Sequence, residues 1–406
     1  MTSLWRNRDF NLLWTSQTFS DLGIAISSLA VPLLVLALTG SPVQAGLVGT
    51  IVMVTALVCR LPAGVLADRV NRRRAMIICD LIRLTALLGL TAAVFTDRAT
   101  LPLIIAVAMV DSAGGTFFET VEHAALRSIV PAGQLPDAVA RNEARSYAAG
   151  LAGPPLGGLL FGLAHALPFG ANALTYLASL LGIALIRKPL QAERTEEPAG
   201  HGAALAEGVR FVFADPFLRA VLFIAAPLNF ALTGAIFAII LNLQRHGTAP
   251  AVIGLVETII GVGGLTGAIV APALQRWLPL ATLVRVICWA AVGLVALSAL
   301  FTSSIAAAVP VALAVFLGPA CNAALFGYQA AITPDRLQGR VVSVIFLAAT
   351  SAAAAAPVLA GVFVAVRGGP AAILFFAGAV TLSAVAATIS KGLRAMRPIE
   401  EATVAG

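Results

Sequence analysis

The sequence predicts an all-α membrane protein with twelve spanning helices in two six-helix halves, and three observations predict it. Of 406 residues, 59% are hydrophobic and only 11% charged, against about 25% charged in a soluble domain. Apolar runs of about 20 residues, the length that crosses a bilayer as a helix, recur along the whole chain. The most polar stretch, 189–206 with Glu193, Arg194, Glu196 and Glu197, lies near the middle and leaves six such runs on each side.

The expected spans are 10–38, 43–66, 75–96, 101–127, 139–164 and 168–187 in the first half. In the second they are 217–243, 250–275, 282–301, 304–331, 338–366 and 370–391. Most boundaries fall where apolar sequence meets charge or proline. Arg6 and Arg8 precede the first span, Arg69 and Arg72–Arg74 separate the second from the third, and Arg98 separates the third from the fourth. Arg127 and Pro131 close the fourth, Arg141, Glu143 and Arg145 open the fifth, and Arg187 and Lys188 follow the sixth. Asp215-Pro216 precedes the seventh and Arg245 ends it, while Arg276 follows the eighth. Pro334, Arg336 and Arg340 lie at the start of the eleventh, Arg367 ends it, and Lys391, Arg394 and Arg397 follow the twelfth. The expected domains are therefore residues 1–187, a linker over 188–216 with an amphipathic segment, and residues 217–406.

Positive residues set the orientation. With the N-terminus inside, all these cations are cytoplasmic except Arg98, Arg245 and Arg367, as the positive-inside bias requires. The expectation is a multi-pass protein of a bacterial plasma (inner) membrane with both termini cytoplasmic. The first apolar run is too long for the core of a cleavable signal, so it is read as a retained span. The net charge of +7 is explained by orientation rather than by nucleic-acid binding. Cys59, Cys79, Cys288 and Cys321 lie within apolar segments without metal-ligand spacing and read as buried, reduced thiols. His123, His165, His201 and His246 are scattered, which argues against a metal centre or an intramembrane enzyme. No cofactor is expected.

The halves repeat. Gly46-Leu47-Val48-Gly49-Thr50-Ile51 reads like Gly254-Leu255-Val256-Glu257-Thr258-Ile259, and Ala124-Ala125-Leu126 before Pro131 echoes Ala330-Ala331-Ile332 before Pro334. Offsets near half the chain indicate duplicated halves.

Three motifs narrow the family. The basic segment Gly64-Val65-Leu66-Ala67-Asp68-Arg69-Val70-Asn71-Arg72-Arg73-Arg74 resembles the loop between helices 2 and 3 of major facilitator superfamily transporters. The resemblance implies a gating segment built from Gly64, Asp68, Arg69, Arg72 and Arg73. In it glycine permits a tight turn and close approach, and Asp68 docks against the start of the eleventh span. Gly153-Pro154-Pro155-Leu156-Gly157-Gly158, on the fifth span, resembles the core of the motif of proton-coupled drug exporters, although the upstream Gly150 lies closer than the usual spacing. Proline bends a helix and glycines permit close packing. The segment Leu205-Ala206-Glu207-Gly208-Val209-Arg210-Phe211-Val212-Phe213-Ala214-Asp215-Pro216 looks like the amphipathic stretch of the macrolide-efflux and enterobactin-efflux group. Phe211 and Phe213 would rest in the headgroup boundary, with Glu207 and Arg210 in water. Asp9-Phe10-Asn11-Leu12-Leu13-Trp14 resembles the same group.

Charged residues inside spans are costly and mark function. Asp80 and Arg83, at i and i+3, read as a structural pair. Glu119, Glu122, Arg127, Arg141 and Arg145 read as a cytoplasmic charge network that closes a gate, with His123 a satisfied polar residue beside it. Asp21 and Glu257 show no local partner and, with Asp111, are the proton-coupling candidates. Gln17, Asn229, Asn322 and Tyr328 are candidates for a substrate cavity.

The expected function is secondary active transport, with a small-molecule substrate and protons as partners, by a monomer in the bilayer. No Gly-x-x-x-x-Gly-Lys-Ser/Thr loop is present, so ATP hydrolysis in this chain is not expected. The resemblance implies proton-coupled export of a hydrophobic or amphiphilic compound, a drug, antibiotic or siderophore, by alternating access. The alternatives are an importer or uniporter of a small metabolite, or a non-transporting receptor.

Overall fold

Long helices carry the chain, and a computed structural model describes residues 4–188, 190 and 201–394 of it. There is no strand among the described residues. Helix α1 (Arg8–Thr39) begins where the Asn7 side chain accepts from the Phe10 N–H and ends at Gly40, whose φ of 66° is one only glycine adopts freely. Ser41 caps α2 (Pro42–Arg69), and Asn71 caps α3 (Arg72–Phe95) by accepting from the Arg74 N–H. The helices α4 (Leu101–Ile129), α5 (Leu135–Leu163) and α6 (Leu167–Leu185) follow. Next come α7 (His201–Ala214), α8 (Pro216–Arg245), α9 (Pro250–Trp277) and α10 (Leu280–Ser298). The chain continues through α11 (Ala308–Ile332), α12 (Asp335–Ala354), α13 (Ala356–Arg367), α14 (Gly369–Ile389) and the short α15 (Lys391–Arg394).

Among the described residues, eleven segments are long and apolar enough to cross a membrane. The twelfth of the fold is α5, whose first half is charged and whose second half is rich in glycine and proline, which lowers its hydropathy. The eleventh expected span is two helices, α12 and α13, parted at Ala355 beside Pro357; proline lacks the N–H a continuous helix needs. Exposed Phe95, Ile269, Leu300 and Val366 suit helices whose outer faces meet lipid.

The chain divides into two compact units. The first comprises Met1–Thr195 with Gly247–Thr258, and the second Glu196–His246 with Ile259–Gly406. In the first, α1 packs along α5 and α6, α3 lies against α4 and α6, and α2 lies on α4. Its core joins Phe10, Leu13, Met76, Phe118, Ile129 and Ile183. In the second, α8 packs on α12, α13 and α14, and α10 lies against α11 and α14, around Leu218, Val284, Cys288, Cys321, Leu325 and Val341.

Three sequence expectations are corrected here. The basic segment is not a loop: α2 runs to Arg69 and α3 starts at Arg72, because Asn71 caps the new helix at once. Gly64 therefore sits inside α2, and a Cβ added there meets nothing within 4 Å, so neither a turn nor a close approach explains it. Helix α7 does not simply float at the headgroups. Val212 is fully buried and Phe211 packs against the core of the second unit, while Phe213 is exposed. The side chain of Asp68 and most of the 188–200 part of the linker lie outside the described residues.

Candidate functional site: buried charge in the first unit

Two ionic clusters form where α1, α3, α4, α5 and α6 meet. In one, Arg145 on α5 is buried between two carboxylates: its Nε lies 2.9 Å from Asp21 Oδ2 and its Nη1 3.2 Å from Glu122 Oε1. The Ser146 hydroxyl donates to the same Asp21 oxygen at 3.0 Å. Asp21, which shows no local partner in the sequence, is thus ion-paired across helices. The partner comes from α5, 124 residues away, beyond the reach of local pattern.

The expected five-member charge network is likewise smaller. Only Glu122 and Arg145 of it meet. Glu119 and Arg127 are exposed, and neither closes an ion pair among the described residues. Arg141 stacks over Trp5, 4.5 Å from the ring centre, while its backbone carbonyl accepts from Trp14 Nε1. His123 Nδ1 lies 2.8 Å from the Glu119 carbonyl.

The second cluster centres on Arg83. Its Nε is 3.0 Å from Asp111 Oδ1, and its Nη1 is 3.8 Å from Asp80 Oδ1. Tyr176 on α6 donates its hydroxyl to Asp111 Oδ1 at 2.7 Å, also meets Arg83 Nη2, and offers its ring face 4.0 Å from the guanidinium carbon. Gly114 and Gly115 make room, since a Cβ on Gly114 would lie 2.8 Å from Arg83 Cγ. Asp80 and Arg83 are therefore part of a four-residue set, and Asp111 is held by a cation rather than free.

Sequence reading missed α6. Asn172 donates to Ser27 at 2.7 Å, and Ser179 accepts from Gln17 at 3.1 Å. Asn172, Tyr176 and Ser179 fall at i, i+4 and i+7, a polar stripe on an apolar helix that was legible as one face. The same contact gives Gln17 another role than the one expected: it is buried and ties α1 to α6 through Ser179. Asn229 is exposed and donates back to the Ala225 carbonyl at 2.9 Å; Asn322 is also exposed. Tyr328 packs edge-on against Phe217, 4.7 Å between ring centres, at the margin of the second core.

Glu257 on α9 makes no hydrogen bond or ion pair among the described residues. It lies beside a close backbone contact between α5 and the start of α9. A Cβ on Gly158 would overlap the Pro250 carbonyl, and one on Gly254 would overlap the Pro154 carbonyl. Thr258 donates to the Leu151 carbonyl at 2.8 Å. On another side of α5, Gly153 and Gly157 face Ala25 and Ile26 of α1 at equally short range. The motif Gly153-Pro154-Pro155-Leu156-Gly157-Gly158 is thus wedged between α1 and the start of α9.

The arginines of the basic segment bind helix ends. Arg72 Nη1 donates to the Ala124 carbonyl at 3.1 Å, the Ser128 hydroxyl at 3.2 Å and the Leu190 carbonyl at 3.2 Å, and Arg73 donates to the Ala184 carbonyl. Cations suit these carbonyl-rich C-termini. In the second unit, Glu207 is not left to water. Arg336 Nη1 lies 2.7 Å away and Arg340 meets its other oxygen, and these hydrogen bonds, that of Arg336 foremost, hold the carboxyl below its usual range. All four cysteines are free; Cys288 and Cys321 are buried, whereas Cys59 and Cys79 are only half-buried. Among the described residues no group of three His, Cys, Asp or Glu side chains suits a metal ion.

Known proteins resemble this chain throughout. The family model described as Transmembrane secretion effector matches residues 2–405. A multidrug efflux pump, Tap, of Mycolicibacterium fortuitum is 27% identical over 380 residues, 89% of this chain and 90% of that one. An MFS-type transporter, YfiS, of Bacillus subtilis (strain 168) is 27% identical over 273 residues, 65% of this chain and 64% of that one. Among solved structures, a bacterial homolog of the human lysosomal transporter Spinster, inward-facing and occupied, superposes with a TM-score of 0.74 at 14% identity, covering 96% of this chain and 97% of that one. A bacterial homologue of the iron transporter ferroportin, inward-facing, gives 0.72 at 16% identity, covering 95% and 99%.

Proposed function

The chain belongs to the transmembrane secretion effector family of the major facilitator superfamily, and on that premise we propose that it exports a hydrophobic or amphiphilic small molecule in exchange for protons. It is a membrane transporter, not an enzyme. The direction and substrate class are supported by the efflux pump that matches nearly the whole chain. The proton coupling is carried by one observation: Glu257, inside a span, has no counter-ion among the described residues. An uncompensated carboxyl there costs several kcal/mol, and its counterpart in the repeat is Gly49, so the fold itself does not require it. A carboxyl in that setting takes up and releases a proton as its surroundings wet and dry. Asp21 and Glu122, sharing Arg145, form a second group whose pairing changes when a proton arrives. The cation distribution supports cytoplasmic termini in the inner membrane, and the two halves would work by alternating access as a monomer.

The test uses everted membrane vesicles with an acid interior and a panel of lipophilic dyes and antibiotics. Uphill accumulation that collapses with a protonophore is expected. Glu257→Gln should lose uphill accumulation and retain downhill exchange. Accumulation indifferent to the pH gradient would refute proton coupling.

A further inference from the structure

The second unit carries a groove that contains none of the buried charges of the first. It measures about 740 Å³, within the roughly 300–1,000 Å³ of small-molecule sites, and runs between α8 and α14. On α8, Arg219, Phe223 and Pro227 line it at i, i+4 and i+8, so one helix face carries a cation at its end and apolar groups above. That face extends about 12 Å from Arg219 to Pro227 at 1.5 Å per residue. On α14, Leu382, Val385 and Ile389 form the opposite wall at i, i+3 and i+7, and Lys391 closes the same end as Arg219. The floor is fixed where Ser383 donates to the Ile224 carbonyl at 2.8 Å. The basic end is fixed by Gly392, where an added Cβ would lie 2.5 Å from the Pro216 carbonyl carbon.

Neither cation has an acidic partner among the described residues. Among the described residues, Arg219 and Lys391 make no ion pair and no side-chain hydrogen bond, and both are exposed. Lys391 gains from the C-terminus of α14. Arg219 does not gain from its place, because a cation in the first turn of α8 sits at the wrong end of the helix dipole. The walls are exposed as well: Phe223 at 56%, Leu382 at 63% and Ile389 at 66%, on helices that face the bilayer.

We propose that this groove binds an anionic phospholipid of the surrounding bilayer, the phosphate between Arg219 and Lys391 and an acyl chain along Phe223, Pro227, Leu382 and Ile389. Charge complementarity selects the headgroup, and basic pockets between spanning helices are the usual seats of such headgroups. A zwitterionic lipid offers the same chain but cancels the attraction. A free phosphate ester offers the charge but none of the apolar contact.

The test is thermal unfolding of the purified full-length protein in detergent with added dioleoylphosphatidylglycerol, dioleoylphosphatidylcholine or glycerol 3-phosphate. The first should raise Tm saturably and the other two should not. Arg219→Gln/Lys391→Gln, at exposed positions, should fold normally and lose the shift. Ala386→Trp, which fills the groove, should lose it with both cations intact. As an independent readout, mass spectrometry of the intact protein should show one retained phosphatidylglycerol in wild type and none in the double variant. An equal shift from the choline lipid, an equal shift from glycerol 3-phosphate, or a shift that survives in the double variant would each overturn the proposal. So would a shift produced by an exported dye in place of the lipid, which would make the groove a substrate site.

Discussion

At the scale of single residues, a guanidinium out of reach of water must be neutralised by its neighbours, and Arg83 is only 2% exposed. Asp111, Asp80 and the Tyr176 ring provide that neutralisation from two other helices and its own. Arg83→Met should therefore strand the buried Asp80 carboxyl and the partly buried Asp111 and cost about 3–5 kcal/mol, the usual penalty for breaking a buried pair from one side. Arg83→Lys should also destabilise, because an ammonium has neither the planar fork that reaches Asp111 and Tyr176 together nor the face that stacks. Melting in detergent checks both, and a wild-type Tm for Arg83→Lys would show that the fork is not needed. The charges themselves were legible in the sequence, since each stood out in an apolar run. Their pairing was not. Asp21 reaches Arg145 and Arg83 reaches Asp111 across helices, and no periodicity within one helix encodes which neighbour it will face. The Gln17 contact was hidden for the same reason, its partner Ser179 lying 162 positions away.

At the scale of elements, α5 contains an internal comparison. A Cβ at Gly157 would overlap the Ile26 carbonyl and one at Gly158 the Pro250 carbonyl, whereas Gly150 has open space. Gly157→Ala and Gly158→Ala should each destabilise by about 1–3 kcal/mol, since backbone atoms cannot rotate away as a side chain can. Gly150→Ala should be neutral or stabilise by up to about 1 kcal/mol through helix propensity. Detergent melting of the three variants decides it, and equal effects at all three would mean that the contacts do not govern α5. Helix α7 makes a pH-dependent prediction. The Glu207 carboxyl is held below its usual range by Arg336 and Arg340, so its contribution is present above the ordinary carboxylate range and is lost as pH falls through the lowered value. Amide-exchange protection of α7, corrected for intrinsic rates, should therefore fall on acidification and weaken with salt. Glu207→Gln should show the lower protection already at neutral pH; unchanged protection would dismiss the ion pair. Span positions were legible from apolar length together with flanking charge and proline. The break at Ala355 and the run of α2 to Arg69 were not, because capping by Asn71 and restart at Pro357 act over one or two residues, below the resolution of hydropathy.

At the scale of the whole chain, the two units share a plan and differ in charge. Helices α1 and α8, α2 and α9, and α3 and α10 start at Arg8 and Pro216, Pro42 and Pro250, and Arg72 and Leu280, each 208 residues apart. At that offset Asp80 corresponds to Cys288, Arg83 to Ala291 and Asp21 to Asn229. Among the described residues, every buried ionised side chain belongs to the first unit; the buried polar groups of the second are Asn242, Ser298, Thr302, Gln329, Thr333 and Ser383. Since α10 lies against α11 and α14 with Cys288 and Ala291 buried, this helical plan closes without charge. Replacing a whole buried ionic set by neutral groups of similar volume is often neutral or stabilising, unlike removal of one partner. The variant Asp80→Asn/Arg83→Met/Asp111→Asn should therefore melt close to wild type, and well above Arg83→Met alone. If the charge serves transport, the same variant should fail to accumulate substrate against a gradient in everted vesicles while still permitting downhill exchange. A variant that melts normally and still accumulates would show that the Arg83 cluster is dispensable and leave Glu257 and the Arg145 pair as the carriers. One that unfolds would show that the first unit, unlike the second, depends on charge for its packing.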